Sequence, residues 1–335
     1  MTSFDVVAYL RRLLAVKKVG HCGTLDPYAV GVLPVCLGVS TGATGYLLSM
    51  RKSYRVEVVF GFSTDTLDLE GEVVVCGNAD RLPREQELNR VLRGMIGKQN
   101  QIPPMYSAVK VNGKRLYQQA RNGIEVERPS REIEIFDIRL VRYSGNRAVF
   151  DVDCSKGTYI RTLCQDIGDA LGQPLCMSFL MRTASAGLLL ADSLTLEQIA
   201  ALHADGKLRE VLIGTDALLH GYGMVRLNAQ QSSLYHNGVA IRVERNSMLP
   251  ARDERENGVV FPARNEREHG EECRDREAVF QNNEVVGGPE PQPVLLVRVY
   301  DQDGFVGLGR LEEAGGGYLL KVKKFLSERS TYAGT

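Results

Sequence analysis

The chain has 335 residues, 44% hydrophobic and 24% charged, the composition of a soluble globular protein long enough for two domains. No apolar run approaches the roughly 20 residues a membrane helix needs, and MTSFDVVAYLRR lacks the basic-then-apolar order of a secretory leader, so the cytoplasm is the expected compartment. The zero net charge hides an asymmetry: residues 251–290 hold six Arg against eleven acids, which leaves the rest mildly basic, and seven cysteines without a Cys-x-x-Cys argue against a disulfide framework or zinc site.

In chain order, residues 3–16 read as an amphipathic helix. Ser3 is its expected cap, Asp5 suits its first turn, and Phe4, Val7, Leu10 and Leu14 fall on one face. The Gly-rich stretch GHCGTLDPYAVGVLP (20–34) follows. RVEVVFGF (55–62) alternates as a strand, TDTLDLEG (64–71) is a polar loop, and EVVVC (72–76) reads as a buried strand. Helical spacing runs over 84–96. QIPPMYSAVKVNGKRLYQQARNG (101–123) carries a Pro pair that cannot continue a helix and an Asn112-Gly113 turn between short strands. Lys110, Lys114, Arg115 and Arg121 make this excursion, about 101–128, a basic arm suited to a polyanion. REIEIFDIRLVRY and AVFDVDC read as strands. TYIRTLCQDIGDALG (158–172) reads as a helix ended by Gly172, with Arg161 in its first turn where a cation opposes the dipole and calls for an anionic partner. Thr195 and Gln198 form a capping box.

After residue 222 the pattern becomes a small β domain of four or five strands, running to about 327. Residues 246–292 interrupt it with a charged insertion too poor in large apolar groups to offset its ordering entropy, and are expected to be disordered.

Asp26 is the sole acid in its Gly-rich stretch. Taken alone, Gly-x-x-Gly-Thr-x-Asp-Pro is an ordinary turn. Neither a dinucleotide fingerprint nor a P-loop is present. Four separated elements change the weight: GHCGTLDP with GVLP, SYRVE (53–57), CSKGTYIRTL (154–163) and FLMR (179–182). Together with the basic arm they closely resemble the bacterial tRNA pseudouridine synthase B family, over residues 1 to about 210 in order and spacing. The C-terminal strands more faintly resemble a PUA-type RNA-binding domain.

The resemblance implies an α+β fold: a mixed, mostly antiparallel sheet flanked by helices, with catalytic residues in 1–213. It implies isomerisation of uridine to pseudouridine at position 55 of the tRNA T-loop, without cofactor or metal, by a monomer needing no protein partner. Asp26 matches the catalytic aspartate and Arg161 the arginine that pairs with it. Tyr54 matches the tyrosine that stacks on the target base, and Tyr159 an active-site tyrosine. Leu180 matches an apolar residue of the uracil pocket, and His21 a histidine packing into the T-loop. Lys110, Lys114 and Arg115 fall to RNA binding. These types suit the task. A single ionised carboxylate in a fairly dry pocket serves as nucleophile or base, and a guanidinium beside it keeps it charged. Extruding the base costs a few kcal/mol, and stacking on an aromatic ring returns roughly 1–3 kcal/mol.

Two rival readings share these residues: an RNA-folding chaperone with impaired catalysis, and a guide-RNA-dependent synthase with protein partners. The family also opens with a strand and a Lys-Pro-x-Gly segment before the stretch matching Met1-Thr2-Ser3, so an edge strand and a basic residue near the site are expected to be missing or replaced.

Overall fold

Tyr54, Val56, Val58 and Phe60 are buried, while Arg55 and Glu57 between them carry ion pairs on the other face. That period-two alternation makes Lys52–Phe60 an inner strand of the main sheet. The structure, a computed structural model, describes all residues except 78–80, 108, 112, 121, 125, 245–247, 250–294 and 328–335; the side chains of residues 110, 114, 115 and 117 are likewise outside the description. Among the described residues no helix is long and apolar enough to cross a membrane.

Two units divide the chain, Met1–Leu218 and Leu219–Thr335. The first begins with α1 (Ser3–Leu13), β1 (Val19–His21), β2 (Val30–Gly31), β3 (Val35–Leu37), α2 (Thr44–Leu48) and β4 (Lys52–Phe60). It continues through β5 (Phe62–Thr64), β6 (Val73–Cys76), α3 (Glu85–Gly94), β7 (Gly97–Gln101), β8 (Lys110–Val111), β9 (Lys114–Arg115) and α4 (Leu116–Ala120). The strands β10 (Arg131–Ser144) and β11 (Arg147–Cys154), α5 (Ile160–Leu171), β12 (Leu175–Ser185), β13 (Leu188–Leu189), α6 (Leu196–Ala204) and α7 (Thr215–Leu218) complete it.

The main sheet runs β13-β12-β4-β11-β10-β7, antiparallel throughout, with β2 added to β12 in parallel. It is the mixed, mostly antiparallel sheet expected. Its core lies against α3 and α5, where Leu88, Leu92, Leu163 and Ile167 meet Val56, Phe150 and Ile135. α5 ends at Gly172, whose left-handed backbone (φ 62°) supplies the terminal turn that a side chain would strain.

Three expectations are corrected. Thr2, not Ser3, caps α1: its hydroxyl accepts from the Asp5 amide, and the Asp5 carboxylate accepts from the Thr2 amide. Ser3 is buried instead. Phe4, placed by spacing on the apolar face, is exposed, because the buried stripe runs through Ser3, Val7 and Leu10. β6 forms as a strand but all four residues are exposed, since it pairs only with β5 in a two-stranded ribbon off the main sheet.

The second unit contains β14 (Gly223–Arg226), α8 (Ala229–His236), β15 (Ile241–Val243), β16 (Met248–Leu249), β17 (Leu295–Asp301), β18 (Gly304–Ala314) and β19 (Gly317–Phe325). Its sheet runs β15-β19-β18-β17-β14-β16 around a core of Val225, Tyr235, Ile241, Val297, Val299 and Leu320. This is the C-terminal β domain. The expected insertion lies outside the described residues except for Met248 and Leu249. Those two form β16 on the edge of β14, a strand that the polar composition around them concealed.

Candidate active site

Asp26 sits on the loop between β1 and β2. The loop is held from one side by Ser3, whose hydroxyl accepts from the Leu25 amide at 2.9 Å. From the other side comes α5. Tyr159, in extended conformation, caps that helix, and the first turn carries Arg161 inward. Arg161 Nη2 stands 2.9 Å from Asp26 Oδ2. The same guanidinium donates to the carbonyls of Thr66 at 3.1 Å and Tyr106 at 2.9 Å, and its Nη1 lies 3.6 Å from Asp68 Oδ2. Arg161 thus ties together three other chain segments: the Asp26 loop, the 64–71 loop and the stretch at Tyr106.

The pair is asymmetric. The Arg161 side chain is 6% exposed, the Asp26 side chain 40%. A charge-assisted hydrogen bond contributes about 1.5–3 kcal/mol, and here the lower end applies because solvent screens the carboxylate. Asp26 is therefore wetter than the fairly dry pocket expected from sequence.

A cavity of about 220 Å³ opens beside Asp26, lined by Tyr28, Asp68, Met177, Phe179 and Leu180 among others. Leu180 and Met177 come from β12, Tyr28 from the Asp loop. A larger groove of about 440 Å³ beside α1 also counts Asp26 in its lining and is mainly aliphatic. The smaller cavity has the mixed lining that orients a polar ring: an apolar wall faced by carboxylates and, behind them, a buried guanidinium.

Tyr54, on β4, is buried, and its phenol is pushed well above the ordinary tyrosine value by that burial. It lies within electrostatic reach of both Arg182 and Asp26. His21, at the end of β1, is half-buried with an unpartnered Nδ1, and burial followed by the Arg182 charge holds its imidazole below the usual range. Its neutral form is thereby favoured. Tyr159 is fixed through its backbone, donating to Gln101 Oε1 at 2.7 Å and accepting from Gln101 Nε2 at 3.1 Å, and its ring lies 5.9 Å from the Arg131 guanidinium. It is not among the residues lining the 220 Å³ cavity. In the arm, Lys110 pairs with Arg115 and Val111 with Lys114 across β8 and β9. The side chains of Lys110, Lys114 and Arg115 lie outside the described residues.

Sequence reasoning assigned Asp65 and Asp68 to loop structure. Asp65 behaves so, accepting from the Glu72 amide. Asp68 does more: its Oδ1 accepts from the Thr66 hydroxyl at 2.6 Å, which leaves Oδ2 facing Arg161. The surplus of acids in TDTLDLEG was the available signal. Met177 carried none, since an apolar residue in a strand is indistinguishable from core.

Comparison with known proteins decides the family. A model described as "TruB family pseudouridylate synthase (N terminal domain)" matches residues 11–160, and one described as "tRNA pseudouridylate synthase B C-terminal domain" matches residues 161–220. The chain belongs to the TruB family of pseudouridylate synthases. Among TruB-family relatives, a tRNA pseudouridine synthase B of Geobacillus thermodenitrificans is 44% identical over 249 residues, covering 72% of this chain and 82% of its own. That of Clostridioides difficile is 36% identical over 326 residues, covering 97% and 95%. A chain in the crystal structure of a Cbf5-Nop10-Gar1 complex superposes with a TM-score of 0.69 at 23% identity, covering 98% of this chain and 82% of that one, which establishes a shared fold. The TruB assignment places both Asp26 and Arg161 inside the matched segments.

Proposed function

We propose that this protein isomerises uridine to pseudouridine at position 55 in the T-loop of tRNA. The observation that carries the reading is the Asp26–Arg161 pair, whose carboxylate lines a cavity walled by Leu180 and Met177, in a chain of the TruB family. The reaction breaks the bond from N1 of uracil to C1′ of the ribose and forms one from C5 to C1′. C5 loses its proton and N1 gains one, so no electrons or groups enter or leave, and no redox cofactor or group donor is required. Asp26 is the ionised group that drives the exchange, as nucleophile or base. Arg161 holds its carboxylate toward the cavity. The target uridine is flipped from the T-loop, stacks on Tyr54, and meets an apolar wall at Leu180 that retains the detached uracil while it turns. For Tyr54 to present a face, the aromatic side chain has to emerge from its buried resting position as the base enters.

His21 packs against the opened T-loop, Tyr159 borders the site, and the arm bearing Lys110, Lys114 and Arg115 contacts phosphates. The C-terminal β domain serves as a PUA-like RNA-binding module. The enzyme works as a cytoplasmic monomer without guide RNA or protein partner. Purified protein incubated with an isolated T-stem-loop tests the proposal directly. Conversion at position 55, read by carbodiimide adducts that survive mild alkali, is the expected result; conversion only in the presence of a second RNA or protein would refute the stand-alone reading.

A further inference from the structure

The FLMR stretch supplied Leu180 to the site, but its arginine has no part in the chemistry above. Arg182, on β12, is 1% exposed, among the most buried side chains of the protein. Its planar fork is spent on three carbonyls of one loop: Nε donates to Val32 at 2.7 Å, Nη2 to Gly23 at 3.1 Å and Nη1 to Thr24 at 3.4 Å. Its own carbonyl accepts from the Val32 amide at 2.9 Å. A Cβ at Gly31, where φ is 105°, would stand 2.2 Å from that carbonyl oxygen. Among the described residues Arg182 forms no ion pair. Lys52, which feels the Arg182 charge, is itself buried and spent on the carbonyls of Leu48 and Met50.

Burying an uncompensated cation is costly, and an apolar side chain would fill the same space more cheaply if packing were the whole purpose. What an apolar side chain lacks is the rigid fork, which grips both limbs of the loop at once. Gly23 and Thr24 lie just before Asp26, Val32 just after β2. We propose that Arg182 is a positioning residue for Asp26, fixing both limbs of the catalytic loop so that the carboxylate meets Arg161 and the incoming nucleotide in register. The proposal rests on the reading of Asp26 as the catalytic group. Sub-ångström placement of such a group is where a supporting guanidinium matters most.

The test uses full-length protein with Arg182→Lys, which keeps the charge and loses the fork, and Arg182→Met, which loses both. Tritium release from tRNA labelled at uridine C5 gives kcat and KM, and hydrogen exchange reports on residues 22–33. In Arg182→Lys, kcat falls at least tenfold with KM for tRNA within twofold, and exchange in 22–33 accelerates while β4 and β11 keep their protection. Arg182→Met falls further. Wild-type kcat in a folded Arg182→Lys protein overturns the proposal, as does a rise in KM with kcat intact. Loss of cooperative melting in both variants also overturns it, assigning the residue to fold stability alone. If wild-type protein releases no tritium, or Asp26→Asn releases as much, the reading of Asp26 fails instead; the exchange data then still decide whether Arg182 holds the loop.

Discussion

Asp26 and Arg161 approach to 2.9 Å, one on a loop after β1 and the other in the first turn of α5. The contact is more than a surface ion pair, because Arg161 is buried and also holds the carbonyls of Thr66 and Tyr106. Replacing it with lysine retains the charge but cannot span four partners. Arg161→Lys is expected to lower kcat by about two orders of magnitude with little change in KM, as measured by single-turnover tritium release and tRNA binding. A loss confined to binding would move Arg161 from the chemistry to the RNA contacts.

Asp68 shares the guanidinium with Asp26 at 3.6 Å. If it orients Arg161, then Asp68→Asn should cost roughly tenfold in kcat, and far less when Arg161 is already lysine. A double-mutant cycle reads this directly, since residues acting through one group are non-additive. Full additivity would mean that the two act separately.

Leu180 is buried yet borders the cavity, so its truncation removes wall more than core. Leu180→Ala is expected to destabilise by about 2 kcal/mol, near the lower end for such changes, because the void joins an existing opening. Urea melts test that figure. The fall in kcat should exceed what the lost folded fraction explains.

Lys52 offers a test by pH. Burial, with the Arg182 charge behind it, lowers its ammonium from 10.5 to about 8. Below about 8 both folded and unfolded chains hold the proton, and the folded state carries the full cost of burying it. Between about 8 and 10.5 the unfolded chain binds more protons than the folded one, so this contribution to stability rises with pH. Lys52→Met lacks the titration. The stability of wild type minus that of Lys52→Met should climb by about 1–3 kcal/mol from roughly pH 7.5 to 10. A flat difference would mean that the ammonium remains hydrated.

Period-two alternation makes β4 legible in the sequence, because Tyr54, Val56, Val58 and Phe60 are buried while Arg55 and Glu57 between them stay partly exposed. The same rule failed at β6, where three valines in a row read as core: propensity reports what suits a strand, not what covers it. Capping was misassigned by one residue, since Thr2 and Ser3 are equally good caps locally and the choice is made by the distant Leu25 amide, which takes the Ser3 hydroxyl. The partner demanded by a first-turn Arg161 was foreseen from the helix dipole. That it would be shared between two carboxylates was not, because Asp68 reaches it only through the docking of the 64–71 loop on Met177 of β12. Arg182 was hidden for a related reason. A guanidinium held mainly by the backbone carbonyls of a distant loop leaves no complementary charged residue in the sequence to reveal it.

The account turns on a single carboxylate, and tritium release from tRNA labelled at C5 of uridine, comparing the wild-type chain with Asp26→Asn, tests it most directly. The wild type is expected to release one equivalent of tritium per tRNA, from position 55, and Asp26→Asn none above background while still binding tRNA. Release by Asp26→Asn at a rate comparable to the wild type would contradict the role given to Asp26 and everything built around it.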